Sequence, residues 1–156
     1  LPSEDILLVP FVNAAFWMIP IHVLQRVGGF CPLFYHYGED KDFVNRLHYH
    51  QYQVGYSPQV FGNHDREYRP STHKGFLRTE SVYHLSEYVN INHPWLKAFG
   101  YGVLAVMKKA LTSLISGKFQ LSKDYLRMGF QLLSRSTEIQ SYRKINRLSQ
   151  PHYIQK

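Results

Sequence analysis

The sequence predicts an α/β head followed by a mainly helical tail, and three observations predict it. Within the first 70 residues, short apolar runs of strand length (Ile6 to Val9, Ala14 to Ile19) are interleaved with helical patterns. From about Ser81 the apolar residues instead recur at three- and four-residue steps, with no internal repeat. The charge also changes sign. Residues 1 to 65 carry three Lys/Arg against six Asp/Glu, a net of −3, and residues 66 to 156 carry fifteen against five, a net of +10, which together give the chain's +7.

Taken in order, the two apolar runs read as strands. Pro20 then suits the first position of a helix carrying Val23, Leu24 and Val27, with Gly28 as its C-terminal cap. An aromatic loop leads to a second helical pattern over Glu39 to His50. Alternation of Val54, Tyr56 and Val60 reads as a strand that stops near Gly62. Residues 81–92, 95–116 and 121–135 are candidate helices, with Asn92-His93-Pro94 and Gly117 as breaks. The expected division is therefore 1–70 and 71–156.

Composition narrows the chemistry. A chain of 156 residues can bury a real core, about 68–70% of its unfolded surface. The lone Cys31 excludes an intrachain disulfide, fits a reducing compartment, and reads as a half-buried thiol instead of a nucleophile. Leu1-Pro2-Ser3-Glu4-Asp5 is too polar and acidic to open a signal peptide, and no continuously apolar stretch reaches about 18 residues, which predicts no membrane span. None of the nine histidines forms a His-x-x-x-His pair and there is no second cysteine, which argues against a zinc hydrolase. Val27-Gly28-Gly29 lacks the spaced glycines of a phosphate cradle.

Three carboxylates, Glu39, Asp40 and Asp42, open the second helix. From Asp40, the apolar Phe43, Val44 and Leu47 fall at i+3, i+4 and i+7, so Asp40 is expected on the inward face. Glu39, Asp42 and Arg46 fall on a different face, with Asp42 and Arg46 an i,i+4 pair. A carboxylate at a helix N-terminus is favoured in its ionised form. Such a group suits a base, a metal ligand, or simply a helix start.

The run Val27-Gly28-Gly29-Phe30, then Phe34, then Tyr37-Gly38-Glu39-Asp40-x-Asp42-Phe43-x-x-Arg46, followed by Tyr56-Ser57-Pro58 and His64, resembles the second half of family 2 glycosyltransferases. The rhamnosyltransferase-like enzymes of bacterial surface-polysaccharide synthesis are the nearest pattern, from which Cys31 and His22 depart. The resemblance implies the acceptor-side half of a GT-A nucleotide-diphospho-sugar transferase fold followed by a mainly helical C-terminal tail. It implies an inverting transfer of sugar from a nucleotide sugar to a hydroxyl of a glycan or lipid-linked acceptor. It places the base at Asp40 with Glu39 beside it, makes Asp42 and Arg46 their support, and offers His64 as a ligand to a divalent metal, Mn or Mg. Trp17, Tyr35 and Tyr37 would form an acceptor-facing wall, while Phe34 suits core packing. No separate element resembles the acidic Asp-x-Asp that clasps metal and sugar nucleotide in such enzymes, so the chain is expected to be a fragment lacking the donor site.

The tail invites a second expectation. The helix from Trp95 to Ser116 is amphipathic, with Trp95, Phe99 and Val103 on its apolar side and Lys108 and Lys109 expected on its polar side. From Lys97 to Lys156 there are eleven basic residues against Asp124 and Glu138 alone. This pattern suits peripheral contact with an anionic membrane at its cytoplasmic face, or ordinary packing. Because the basic residues are spread through apolar segments and no recognition motif is present, nucleic acid is not an expected partner. The rival to the enzyme reading is a non-enzymatic, membrane-associated interaction domain in which the acidic triad only starts a helix.

Overall fold

A computed structural model describes residues 6–60, 62–63, 70 and 72–154. Its secondary structure corrects the expected fold class. Of the described residues 59% are helical and 4% are strand, and the sheet has two strands. Such a sheet is not the α/β core of a GT-A transferase fold. The reason lies in two segments. Ala14 to Ile19, expected as a strand, runs as irregular chain that packs Trp17 and Ile19 onto a helical core. The expected strand from Val54 onward keeps, among the described residues, only the three of Val54–Tyr56 in pairing.

The chain forms two compact units, Leu1–Pro70 with Asn146–Lys156, and Ser71–Ile145. In the first, β1 (Leu7–Val9) pairs antiparallel with β2 (Val54–Tyr56), placing Leu8 opposite Gly55. Between them lie α1 (Ile21–Val27) and α2 (Glu39–Tyr49). The Pro20 carbonyl accepts the Val23 N–H at 2.9 Å to open α1, and the Gly28 N–H closes it on the Leu24 carbonyl at 2.8 Å. Val23 and Val27 of α1 meet Phe43 and Leu47 of α2 in the core, which Trp17, Leu24 and Tyr52 flank.

The second unit is helical throughout. Helix α3 (His73–Val89) starts eight residues before Ser81, where Thr72 Oγ1 accepts the Gly75 N–H at 3.0 Å. Of its first eight residues only the adjacent Phe76 and Leu77 are apolar, so they carry no helical apolar period. Then α4 (Trp95–Phe99) runs through a π-helical turn, Gly100–Leu104, into α5 (Ala105–Ile115). That wide turn has visible causes. His84 Nδ1 donates to the Tyr101 carbonyl at 2.9 Å, and a Cβ on Gly102 would lie 2.5 Å from the Tyr88 Cβ. Gly117 turns the chain into α6 (Phe119–Ser134), which packs on α5 as an antiparallel hairpin, with Ser122 Oγ donating to the Ala110 carbonyl at 2.8 Å.

Helix α7 (Ser136–Asn146), absent from the sequence expectation, is mostly polar and anchors through buried Ile139 and Arg143. The Arg143 guanidinium donates to the carbonyls of Tyr88, Asn90 and His93, capping the C-terminal end of α3.

Candidate functional site

The site is built around the start of α2. Gly38, at φ 89°, turns the aromatic loop into the helix, and its carbonyl accepts the Asp42 N–H at 3.0 Å. Asp42 and Arg46 are 1% and 0% exposed, which corrects the expectation that they share an outer face. Arg46 Nε donates to Asp42 Oδ2 at 2.8 Å, Nη1 to the Val27 carbonyl at 2.8 Å, and Nη2 to the Gly29 carbonyl at 2.7 Å. One guanidinium thus ties the last turn of α1, the glycine turn and the acidic helix together. Its plane also lies over the Phe43 ring at 5.0 Å and the Tyr153 ring at 5.8 Å. Burial pushes the Asp42 carboxyl up from its ordinary value, against the pull of the Arg46 charge.

The chain's C-terminal stretch closes this assembly, although no local pattern connects its residues with it. The Gly29 N–H donates to the His152 carbonyl at 2.8 Å, and a Cβ on Gly29 would lie 2.9 Å from the Tyr153 carbonyl. His50 Nε2 donates to the Asn146 carbonyl at 3.1 Å, and the Tyr153 hydroxyl donates to Asn146 Oδ1 at 2.7 Å. The Gly-Gly pair therefore admits a neighbouring backbone instead of a phosphate. Cys31 is buried here, and that burial, aided by the Asp42 charge, pushes its thiol up to about 11, so it is no nucleophile at neutral pH.

His152 carries a consequence. Burial first, then the Arg46 and His50 charges, hold its imidazole down to about 4. A group whose folded value is depressed stabilises the fold above its unfolded value of about 6.5, and that contribution is lost as pH falls toward the folded value. Thermal stability is therefore expected to drop between about pH 6.5 and pH 4 more steeply in the parent than in His152→Asn. Parallel slopes in melting temperature against pH would refute this.

Asp40 and Glu39 stand at the mouth of α2, partly buried. Asp40 Oδ1 accepts the Lys41 N–H at 2.7 Å, and its other oxygen has no partner among the described residues. Glu39 Oε2 is buried without a hydrogen-bond partner. Trp17 is half-buried, with its ring 5.7 Å from Phe43 and 6.3 Å from Phe30, so it borders the core at the base of this helix. Phe34 is buried, whereas Tyr35 is fully exposed and Tyr37, at φ 71°, is 39% exposed against His36. His64, the expected metal ligand, lies outside the described residues. Among the described residues no three His, Cys, Asp or Glu side chains cluster to hold a metal ion. No family model, curated protein or solved structure matches the chain.

Proposed function

We propose that this chain is the acceptor-side portion of an inverting glycosyltransferase, which moves a sugar from a nucleotide sugar to a hydroxyl of a glycan or lipid-linked acceptor. One observation carries the reading: the buried Arg46 network fixes the start of α2, so that Asp40 and Glu39 project from a rigid support while Asp42 is consumed in holding it. A general base needs a carboxylate held on an immobile frame within reach of the proton it takes.

In the proposed reaction Asp40 accepts the proton of the acceptor hydroxyl as that oxygen bonds to the anomeric carbon. The bond to the nucleoside diphosphate breaks on the opposite face of the sugar, which inverts the anomeric configuration. Glu39 lies beside the base and raises the local negative potential, and Tyr35 and Tyr37 offer rings for an apolar sugar face. The donor is held by groups outside the described residues. A divalent cation, if the reaction uses one, needs ligands beyond these residues too, and no step here is routed through it.

The test is acceptor-dependent release of nucleoside diphosphate by the full-length protein, across a panel of nucleotide sugars, with product configuration read by NMR. Release with inversion is expected, and residues 1–156 alone should bind no nucleotide sugar in calorimetric titration. Retention of configuration, or no release with any donor, would overturn the reading and leave the acidic triad as a helix start.

A further inference from the structure

We propose that the side of the α5–α6 hairpin opposite α3 is a docking surface for an anionic lipid bilayer. Helix α5 buries Val106, Ala110 and Ser113, and α6 buries Tyr125, Met128, Gly129 and Leu132. Beside these inner faces runs a second apolar stripe on each helix. On α5 and the turn before it the stripe is Leu104, Leu111 and Ile115, at 56%, 57% and 78% exposure, and on α6 it is Phe119, Phe130 and Leu133, at 63%, 62% and 37%. On a 3.6-residue helix both stripes are rotated in the same sense from the buried face, by roughly 150° on α5 and roughly 110° on α6. In an antiparallel pair, rotations of the same sense turn the stripes toward the same side of the hairpin.

Helix α3 occupies the other side. Glu80 accepts from both Lys109 and the Tyr125 hydroxyl, and Asp124 pairs with His73 at 3.0 Å. This corrects the placement of Lys109 beside Lys108, since Lys109 belongs to the α3 contact. Burial tends to raise Glu80, but its bonds from Lys109 and Tyr125 outweigh that and hold it below its usual range. Trp95 and Phe99 likewise turn inward, with ring centroids 5.1 and 5.9 Å from Tyr88, and Val103 is buried. The apolar side chains left outside are therefore a different set from those that pack the domain.

Charge selects the occupant. Residues 95 to 135 hold seven Lys/Arg and a single acid, Asp124, which faces α3. Lys108 sits four residues after Leu104, Lys123 four after Phe119, and Lys118 in the connecting turn, all exposed. Cations set among Leu, Ile and Phe with no acid on that side match a bilayer interface, where lysine stems lie along the apolar boundary and their heads reach anionic headgroups. A protein partner fits less well, because lysine is depleted in the cores of protein interfaces. The stretch Trp95–Ile115 is long and apolar enough to cross a membrane by length and composition. Its ion pair to Glu80 and its packing on α3 instead keep one flank on protein, so the hairpin lies along the surface.

The test uses the full 156-residue chain in sedimentation with vesicles of phosphatidylcholine alone and of phosphatidylcholine with phosphatidylserine. Binding is expected on the anionic vesicles and should weaken as salt rises. Lys108→Gln with Lys123→Gln should weaken it roughly fivefold per lysine, and Leu111→Gln with Phe130→Gln should weaken it further, all with unchanged melting temperature. Equal binding to neutral vesicles, no binding to either, or undiminished binding by the folded variants would overturn the proposal. So would sedimentation-velocity evidence that Leu111→Gln with Phe130→Gln abolishes a dimer, which would make the face a contact between copies.

Discussion

Replacing Arg46 with alanine is expected to destabilise the first unit by about 3–5 kcal/mol, the usual cost of leaving a buried charge without its partner. That is a large share of the roughly 5–15 kcal/mol that holds an ordinary domain together. Asp42 would be stranded at 1% exposure, and the Val27 and Gly29 carbonyls would lose their donors. Arg46→Lys should recover only part of the loss, because a single ammonium cannot present three divergent N–H groups in one plane. Chemical denaturation followed by circular dichroism reads the effect. A fall of less than about 1 kcal/mol would mean that the network contributes no more than an exposed ion pair.

If Asp40 is the base of the proposed transfer, Asp40→Asn should behave in the opposite way, sparing the fold and removing that transfer. Asparagine keeps the shape and can still accept the Lys41 N–H that Asp40 Oδ1 now receives at 2.7 Å, but it cannot take up a proton. Loss of a general base costs roughly 10²–10⁴ in rate, so acceptor-dependent transfer by the full-length protein should fall by that much. Melting temperature and donor binding should stay near the parent values. Activity within a few-fold of the parent would move the base elsewhere, with Glu39, whose Oε2 is buried and unpartnered, the next residue to replace.

How much of this was legible in the sequence depends on how many sides of each element are covered. The periodicity of Val23, Leu24 and Val27 and the pattern from Glu39 to His50 locate α1 and α2 to within a residue, because each has one apolar stripe facing one core. The same reasoning misplaces Asp42 and Arg46. It assumes that the side opposite the stripe is wet, whereas the glycine turn and residues 152–153 cover it. Ala14 to Ile19 is apolar enough for a strand, but strand pairing needs a neighbour, and the segment spends its apolar residues on the helical core instead. Helix α7 was invisible because a mostly polar helix held by Ile139 and Arg143 has little period to read. Arg143 binds carbonyls some fifty residues away, which no local pattern encodes.

The route of the chain through the first unit sets a timetable for its maturation. Residues Ser71–Ile145 are contiguous and can fold as soon as they have left the ribosome, whereas the first unit is interrupted and reclaims Asn146 to Ile154 only afterwards. Until then the Gly29 N–H and the His50 ring lack their mates, and Arg46 and Cys31 lack the cover of Tyr153. The acidic helix would thus acquire its final setting after translation has passed residue 154, whichever part of the molecule condenses first. A nascent chain stalled before that point should give up the Cys31 thiol to alkylation, and one released beyond it should protect that thiol.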